Sequence, residues 1–395
     1  MARIAVLGCG TVGASVVRLL EREQDWLRQK TGQPVSVKYI CKRRFGEDFP
    51  WPELRCEDFS IIENDPEISI VAELIGGVGA ARDYCERALR AGKHVVTANK
   101  QLIAACGPAL FRLAQAHGVT IRFEAAVGGG IPVLRTLSRS LCAAPVRAVA
   151  GILNGTTNFI LTQMLENGMS YEAALAQAQA LGYAEADPTA DVEGLDAARK
   201  LCILSGLAFG THTDCETIMT QGVTAVTELD AAFARALGMK IKLLGRSYLE
   251  NGRQFTFVAP HFVPEQSPLA HASGADNAIL LETGETGDYV LSGPGAGGFP
   301  TANAVVGDLV DILRSPAQPQ PERWSETPAR PAPAGEIESC WFFRTDAPCG
   351  AAEACLGPVR WSPEISGAHG GVSRLMALHT LLDSGLQLSA VYPVL

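Results

Sequence analysis

The sequence predicts an α/β protein: a parallel sheet covered by helices, then an α+β second domain and a small C-terminal appendage. Three observations carry this. Short β-like and helical runs alternate from Ile4 to Ala125, as in a series of βαβ units. A Gly-x-Gly-x-x-Gly hexapeptide, Gly8–Gly13, stands between the first strand and the first helix. From about Pro132 the alternation gives way to long Ala- and Leu-rich stretches and later β-like runs.

Ile4–Leu7 reads as a strand, and Val12–Glu23 as a helix with one apolar face. Val35–Cys41 and Ile68–Leu74 are apolar strand runs, and Ala80–Ala91 is a helix closed by Gly92. His94–Thr97 is the next strand; Gly107–Ala116 is a helix closed by Gly118, followed by a strand over Thr120–Ala125. Both glycines stand where a helix C-terminus favours one. In the second domain Tyr171–Leu181 and Leu195–Leu207 are helical, while Phe255–Pro260, Asn277–Glu282 and Tyr289–Ser292 are β-like. Ala302–Leu313 is helical again and is expected to return to the first domain. The expected boundaries are 1–131 (with 300–314 packing back), 132–299, a linker over 315–335 and an appendage over 336–395. The linker reading rests on six prolines among Ala, Gln and Glu between Ser315 and Gly335, a composition that buries no core.

The chain's 395 residues suggest two or three domains. With 47% hydrophobic and 19% charged residues it can bury a sizeable core. A net charge of -9 argues against nucleic-acid binding, which needs clustered positive charge. No run approaches the roughly 18 apolar residues of a membrane span, and the opening Met1–Val6 enters a strand pattern directly, without a signal-peptide pattern. The 11 cysteines are scattered singly with no Cys-x-x-Cys pair, so a reduced, cytoplasmic protein is expected.

In Gly8-Cys9-Gly10-Thr11-Val12-Gly13 the first glycine permits the tight turn, the second admits a pyrophosphate against backbone, and the third lets helix pack on strand. The N–H groups and positive dipole end of the following helix suit the phosphates. This is a Rossmann dinucleotide site; the bland alternative is an ordinary βα turn. The second strand ends in Lys42-Arg43-Arg44, with no acid until Glu47. Cations there suit a 2′-phosphate and predict a preference for NADP; a solvated basic loop, the alternative, also accommodates NAD.

The densest polar segment is Gly182–Lys200, where five carboxylates fall within the twelve residues from Glu185 to Asp196. Asp196 and Lys200 stand at i and i+4 and share a helix face. A lysine held beside carboxylates can move a proton to or from a substrate oxygen, and Glu185 and Asp191 could hold a substrate ammonium. A surface salt bridge on a charged helix is the competing reading. Lys100, in Val96–Lys100 at the carboxyl end of a strand, stands where open α/β sheets bind ligands; a solvent-facing lysine is its alternative. Phe123–Pro132 contains three consecutive glycines and could turn carbonyls towards a hard cation. Ile152–Asn158 offers compact donors for a carboxylate or amide. Either stretch could be a plain turn into a helix. The seven histidines show no metal spacing, and no Gly-x-Ser-x-Gly is present.

Taken together, these segments resemble homoserine dehydrogenase. The matching blocks run in family order: Gly8–Gly13, Glu73–Gly77, Thr97–Lys100, Glu124–Pro132, Gly151–Asn158, Gly182–Lys200, and Gly293–Gly297 followed by Pro300–Ala302. The resemblance implies reversible hydride transfer between L-homoserine and L-aspartate 4-semialdehyde with NAD(P), on the route to threonine and methionine. It implies Lys200 as acid/base group with Asp196 as partner, and Glu185, Tyr183, Asp191, Gly155 and Thr156 around the substrate. Lys100 would lie between cofactor and substrate. Gly8, Gly10, Thr11, Val12, Gly13, Arg43, Arg44, Thr97 and Gly297 would join Lys100 around the nucleotide. A sodium ion would map to Glu124 and the carbonyls of Val127, Gly129 and Ile131. The middle domain would be catalytic and form a homodimer. Two departures are visible: Arg44 follows Arg43 where relatives often carry Asp, and the segment from Glu336 begins like an ACT domain but looks short for a complete βαββαβ unit. The length fits the form without an aspartokinase domain. On the residues alone, another NADP-dependent reductase of a small amino-acid aldehyde and a nucleotide-binding regulator without turnover remain as alternatives.

Overall fold

The computed structural model describes residues 1–315 and 324–395. The chain divides into two compact units. The first comprises Met1–Ala143, Cys202–Asp214 and Pro294–Pro328; the second comprises Ala144–Leu201, Cys215–Gly293 and Ala329–Leu395.

The first unit is built on a six-stranded sheet: β1 (Ala2–Leu7), β2 (Val35–Cys41), β3 (Arg55–Cys56), β4 (Ile68–Glu73), β5 (His94–Thr97) and β6 (Ile121–Arg122). The order is β3-β2-β1-β4-β5-β6 and the strands run parallel, which is the Rossmann arrangement. Ile4, Ala5, Val6 and Leu7 are all fully buried, because helices cover both faces of such a sheet and an unbroken apolar run fits better than an alternating one. Helix Thr11–Arg22 contributes Val16, Val17 and Leu20 to a core shared with Val305, Leu309 and Ile312 of helix Gly298–Arg314. Both helices belong to the same compact unit. Gly92 and Gly118, at φ +72° and +65°, follow helices Gly79–Arg90 and Lys100–Ala116.

Two expectations need correction here. Helix Lys100–Ala116 begins seven residues before Gly107, because Asn99 caps it by accepting the Leu102 N–H at 3.0 Å, and the helix carries Pro108 within its length. The strand expected over Thr120–Ala125 stops at Arg122. Glu124–Ala126 is instead a 3₁₀ turn, with the Glu124 N–H drawn away to the carboxylate of Asp308 at 2.8 Å.

Of the Pro-rich stretch, 316–323 lies outside the described residues. From Trp324 the chain is built in. That indole is buried and packs edge-on to Phe111 and Phe123. It fills space left by Gly107 and Gly206, where a Cβ would come within 3.1 and 2.8 Å of the ring. Ser325–Ala329 then pairs with Thr211–Thr213.

The second unit holds a mixed sheet of β7 (Ala148–Ile152), β8 (Met219–Thr220), β9 (Met239–Glu250), β10 (Arg253–Pro264), β11 (Asp276–Glu282) and β12 (Tyr289–Pro294), ordered β12-β11-β7-β9-β10-β8. Strands β9 and β10 form a twelve-residue hairpin from Met239↔Pro264 to Glu250↔Arg253, with Asn251 (φ +50°) and Gly252 (φ +75°) at its turn. Left-handed backbone at both turn positions matches the twist of paired strands.

The C-terminal segment completes a βαββαβ path through β13 (Trp341–Thr345), helix Cys349–Leu356, β14 (Val359–Trp361), β15 (His369–Ser373), helix Leu378–Leu382 and β16 (Leu388–Pro393). Its sheet order is β14-β15-β13-β16, with antiparallel pairing throughout. The segment is short, as expected, yet complete, since its second helix has five residues and β14 only three. The Phe342 ring stacks on Phe262 of β10 at 4.0 Å, and the buried Asp230 carboxylate takes Arg344 at 2.9 Å. No helix among the described residues is long and apolar enough to cross a membrane.

Candidate active site

In the first unit the carboxyl ends of the strands converge on the Gly8–Gly13 turn. Gly8 sits at φ +87°, and a Cβ there would lie 2.7 Å from the Leu74 carbonyl oxygen; one on Gly13 would lie 2.3 Å from the Gly8 carbonyl oxygen. These two glycines are required by the fold itself. Gly10 differs: nothing lies within 4 Å of its Cβ position, so its missing side chain leaves room for a ligand. The Thr11–Arg22 helix has no side-chain cap and no acid in its first turn, which leaves its N-terminus suited to an anion. Gly297 (φ +114°) precedes helix Gly298–Arg314, and a Cβ on Gly298 would meet Ser15 Oγ at 2.6 Å and the Thr11 methyl at 3.2 Å. The loop containing Gly297 is thereby brought beside Thr11.

Arg43 and Arg44 follow β2 and are exposed. Lys42 turns instead over the rings of Phe45 and Phe49, at 5.8 and 5.6 Å. Thr97 is fully buried and its hydroxyl donates to Glu73 Oε2 at 2.6 Å while accepting the Asn99 N–H at 2.9 Å. That hydroxyl organises loops rather than facing a ligand. Glu73, which the sequence reading did not assign a role, also accepts from the Ile75 and Gly76 N–H groups, and Asn99 Nδ2 donates to the Gly77 carbonyl. The two loops flanking Lys100 are tied together in this way.

The glycine-rich turn after Glu124 holds Gly128 and Gly129 at φ +72° and +54°. A Cβ on Gly129 would strike the Gly295 carbonyl at 2.7 Å. The Glu124 carboxylate is already engaged by the Leu134 and Arg135 N–H groups at 2.9 and 2.8 Å. Burial, helped by the neighbouring Asp308, pushes its pKa up to about 7. Among the described residues no group of three His, Cys, Asp or Glu side chains is placed to hold a metal.

In the second unit, helix Gly155–Asn167 starts at Asn154, whose Oδ1 accepts the Thr157 N–H at 2.9 Å. Helix Leu195–Phe209 presents Asp196 and Lys200 one turn apart. Lys200 Nζ lies 2.6 Å from Asp196 Oδ2 and 2.6 Å from the Leu153 carbonyl oxygen. Both side chains are nearly closed to solvent, at 9% and 4% exposure, so the surface-salt-bridge reading is wrong. Asp191 joins the cluster through Asn154 Nδ2 at 2.7 Å. Thr156 Oγ1 donates to the Tyr183 carbonyl at 2.7 Å, and the exposed Tyr183 ring leans on Phe159. Gly155 is pressed by the Ala275 carbonyl, 2.5 Å from where a Cβ would stand. Glu185 is exposed, and its backbone carbonyl accepts from Gln179. The structure thus brings together Lys200, Asp196, Asp191, Gly155 and Thr156 around residues 153–157. Asn154 has no separate role in the sequence expectation for 152–158; Asn directly before a helical run is the cap signal that marks it.

Comparison with known proteins agrees with this geometry. A family model described as homoserine dehydrogenase matches residues 132–310, and one described as homoserine dehydrogenase, NAD binding domain, matches residues 8–124. The chain belongs to the homoserine dehydrogenase family. Members of this family are NAD(P)-dependent oxidoreductases, and the α/β Rossmann fold expected from the sequence is the one observed. A homoserine dehydrogenase of Bacillus subtilis is 42% identical over 317 residues, covering 79% of this chain and 73% of the relative. The crystal structure of one from Thiobacillus denitrificans superposes with a TM-score of 0.92 at 33% identity, covering 100% of this chain and 98% of that one. A hyperthermophilic archaeal homoserine dehydrogenase mutant in complex with NADPH is more distant, with a TM-score of 0.67 at 25% identity, covering 78% and 97%.

Proposed function

We propose that the chain interconverts L-homoserine and L-aspartate 4-semialdehyde, with Lys200 as the acid–base group and NADP as the preferred nucleotide. The single observation that carries this is the buried Lys200–Asp196–Leu153 arrangement, because it fixes an ammonium group where one proton donor is needed. In aldehyde reduction Lys200 donates a proton to the forming γ-hydroxyl. In the oxidising direction it must first lose its proton and then take one from homoserine, so turnover rises towards alkaline pH. Asp196 orients the ammonium. Glu185 and Asp191 take the substrate amino group, while Tyr183, Gly155 and Thr156 shape the same pocket.

When bound, NAD(P)+ would supply the hydride acceptor for the substrate carbon. The turn Gly8–Gly13 fits it, because the open space at Gly10 admits a pyrophosphate beside the uncapped helix N-terminus. Arg43 and Arg44 supply cations for a 2′-phosphate, and no carboxylate competes at the strand end. The backbone at Thr97, the head of the helix at Lys100, and Gly297 complete the nucleotide side. A sodium ion would be held at Glu124 and the carbonyls of Val127, Gly129 and Ile131. The family resemblance further supports a homodimer formed through the middle domain, and the scattered single cysteines support a cytoplasmic protein.

The test is reduction of NADP+ and then NAD+ by purified protein with L-homoserine at alkaline pH, with sodium present. Turnover that vanishes in Lys200→Ala supports the assignment. Nucleotide binding without turnover, with sodium and potassium both tried, would overturn it.

A further inference from the structure

We infer that Asn154 is a positioning residue of the reaction, a neutral clamp that holds the carboxylates of Asp191 and Asp196 apart and thereby sets the acid that Lys200 pairs with. This rests on the proposal that Lys200 moves the proton. The orientation of the amide is decided by the helix it caps. Its Oδ1 accepts from the Thr157 N–H at 2.9 Å and from Thr157 Oγ1 at 3.1 Å. An amide with its oxygen so committed must turn Nδ2 the other way. Nδ2 has two hydrogens, and two carboxylates lie within reach: Asp191 Oδ1 at 2.7 Å and Asp196 Oδ2 at 3.0 Å. Each hydrogen serves one acid.

The oxygen of Asp196 that receives Asn154 is the one that receives Lys200 Nζ. The residue before Asn154 supplies the carbonyl that receives the same Nζ. Residues 153 and 154 therefore grip both members of the lysine–aspartate pair, and the grip is anchored in the first turn of helix Gly155–Asn167. Asn154, Asp196 and Lys200 are all buried, where hydrogen bonds to ionised groups are strong and an unpaired carboxylate is costly. A neutral donor suits this position. Another cation would compete with Lys200 for Asp196, and a third acid would draw the ammonium's proton tighter.

Two variants keep the helix cap. Asn154→Asp preserves shape and the Oδ1 acceptor but faces the two acids with an oxygen. Asn154→Ser keeps a capping oxygen but is too short to reach both carboxylates. Each is expected to melt somewhat lower, because two carboxylates lose a donor, but to fold, with an unchanged KM for the nucleotide and kcat for homoserine oxidation at least tenfold lower. Asn154→Asp should also move the alkaline rise of kcat upward by about one pH unit, since an added negative charge favours the protonated lysine. A structural role alone would lower stability without moving that limb. If either variant retains the parental kcat and pH profile, the inference is overturned; if Asn154→Asp does not fold, Asn154→Ser decides by its kcat measured well below its melting temperature. Lys200→Ala measured alongside separates the two levels: an active Lys200→Ala removes the acid–base reading itself, whereas an inactive one with parental Asn154 variants removes only the clamp.

Discussion

The ammonium of Lys200 is bonded to the carbonyl of Leu153 at 2.6 Å, across 47 residues of sequence. A long, flexible side chain is thereby held by a rigid backbone atom at a strand end, which reduces the entropy lost when the proton is transferred. Lys200→Ala should lower kcat by roughly 10²–10⁴-fold in both directions, the usual worth of a positioned acid–base group. The KM for the nucleotide should stay within about twofold. Lys200→Arg should restore little homoserine oxidation, because a guanidinium does not surrender its proton in the working pH range. Steady-state kinetics in both directions check this.

Gly10 and Gly13 lie in one turn but should fail differently when replaced by alanine. At Gly13 the added carbon would overlap the Gly8 carbonyl oxygen, and overpacking of this kind costs about 1–3 kcal/mol. Gly13→Ala should lower the melting temperature. Gly10→Ala meets no protein atom and should leave the melting temperature alone while weakening nucleotide binding at least tenfold. Thermal melts paired with nucleotide titrations distinguish the two.

Removing the charges of Arg43 and Arg44 together should reduce the ratio of kcat/KM for NADP to that for NAD by tenfold or more, with the NAD value little changed. Both guanidinium groups are exposed, so neither substitution should affect folding. An unaltered ratio would remove these arginines from nucleotide selection.

His261 gives a prediction about acid stability. It is fully buried, its Nδ1–H donates to the Ala259 carbonyl at 2.8 Å, and Nε2 has no partner among the described residues. Burial pushes its pKa down to about 3. The unfolded chain binds a proton here below about 6.5 while the folded chain does not, so stability falls as pH drops from 6.5 towards 3. The slope is about 1.4 kcal/mol per pH unit for this one group. His261→Phe, which retains a ring against Phe257, should flatten the fall measured by denaturant unfolding between pH 6.5 and 4.5.

The C-terminal module should contribute to stability rather than hang as a free tail. Arg344→Ala would leave the fully buried Asp230 carboxylate without its cation. The Thr227 N–H and hydroxyl still reach that acid, so a loss of roughly 3 kcal/mol is expected, near the lower end for breaking a buried pair. The denaturant midpoint should shift at unchanged slope.

Much of the first unit was legible because parallel strands are continuous apolar runs and helices close with glycine: β2 and β5 fall on the expected residues. The Thr120–Ala125 strand was misjudged because Asp308, 184 residues further on, takes the Glu124 N–H, and no local pattern records that. The β9–β10 hairpin was recognised only over Phe255–Pro260, since most of its residues are buried on both faces and show no alternation. At the site, the i, i+4 spacing of Asp196 and Lys200 announced itself. The commitment of Thr97 and of the Glu124 carboxylate to backbone and loop bonds did not, because hydroxyl and carboxylate partners are chosen by tertiary packing.

The nucleotide unit is assembled from three separated stretches of chain, the last beginning at Pro294. Helix Gly298–Arg314 completes the core in which Val16 and Leu20 are buried. During synthesis, part of the apolar face of the first helix therefore lacks its partner until helix Gly298–Arg314 has emerged. Domains that close on distant segments form slowly and expose sticky surface meanwhile. The second unit's contiguous hairpin can form earlier. Chaperone dependence in the growing chain should accordingly extend to the Rossmann half, the half that looks simplest in sequence.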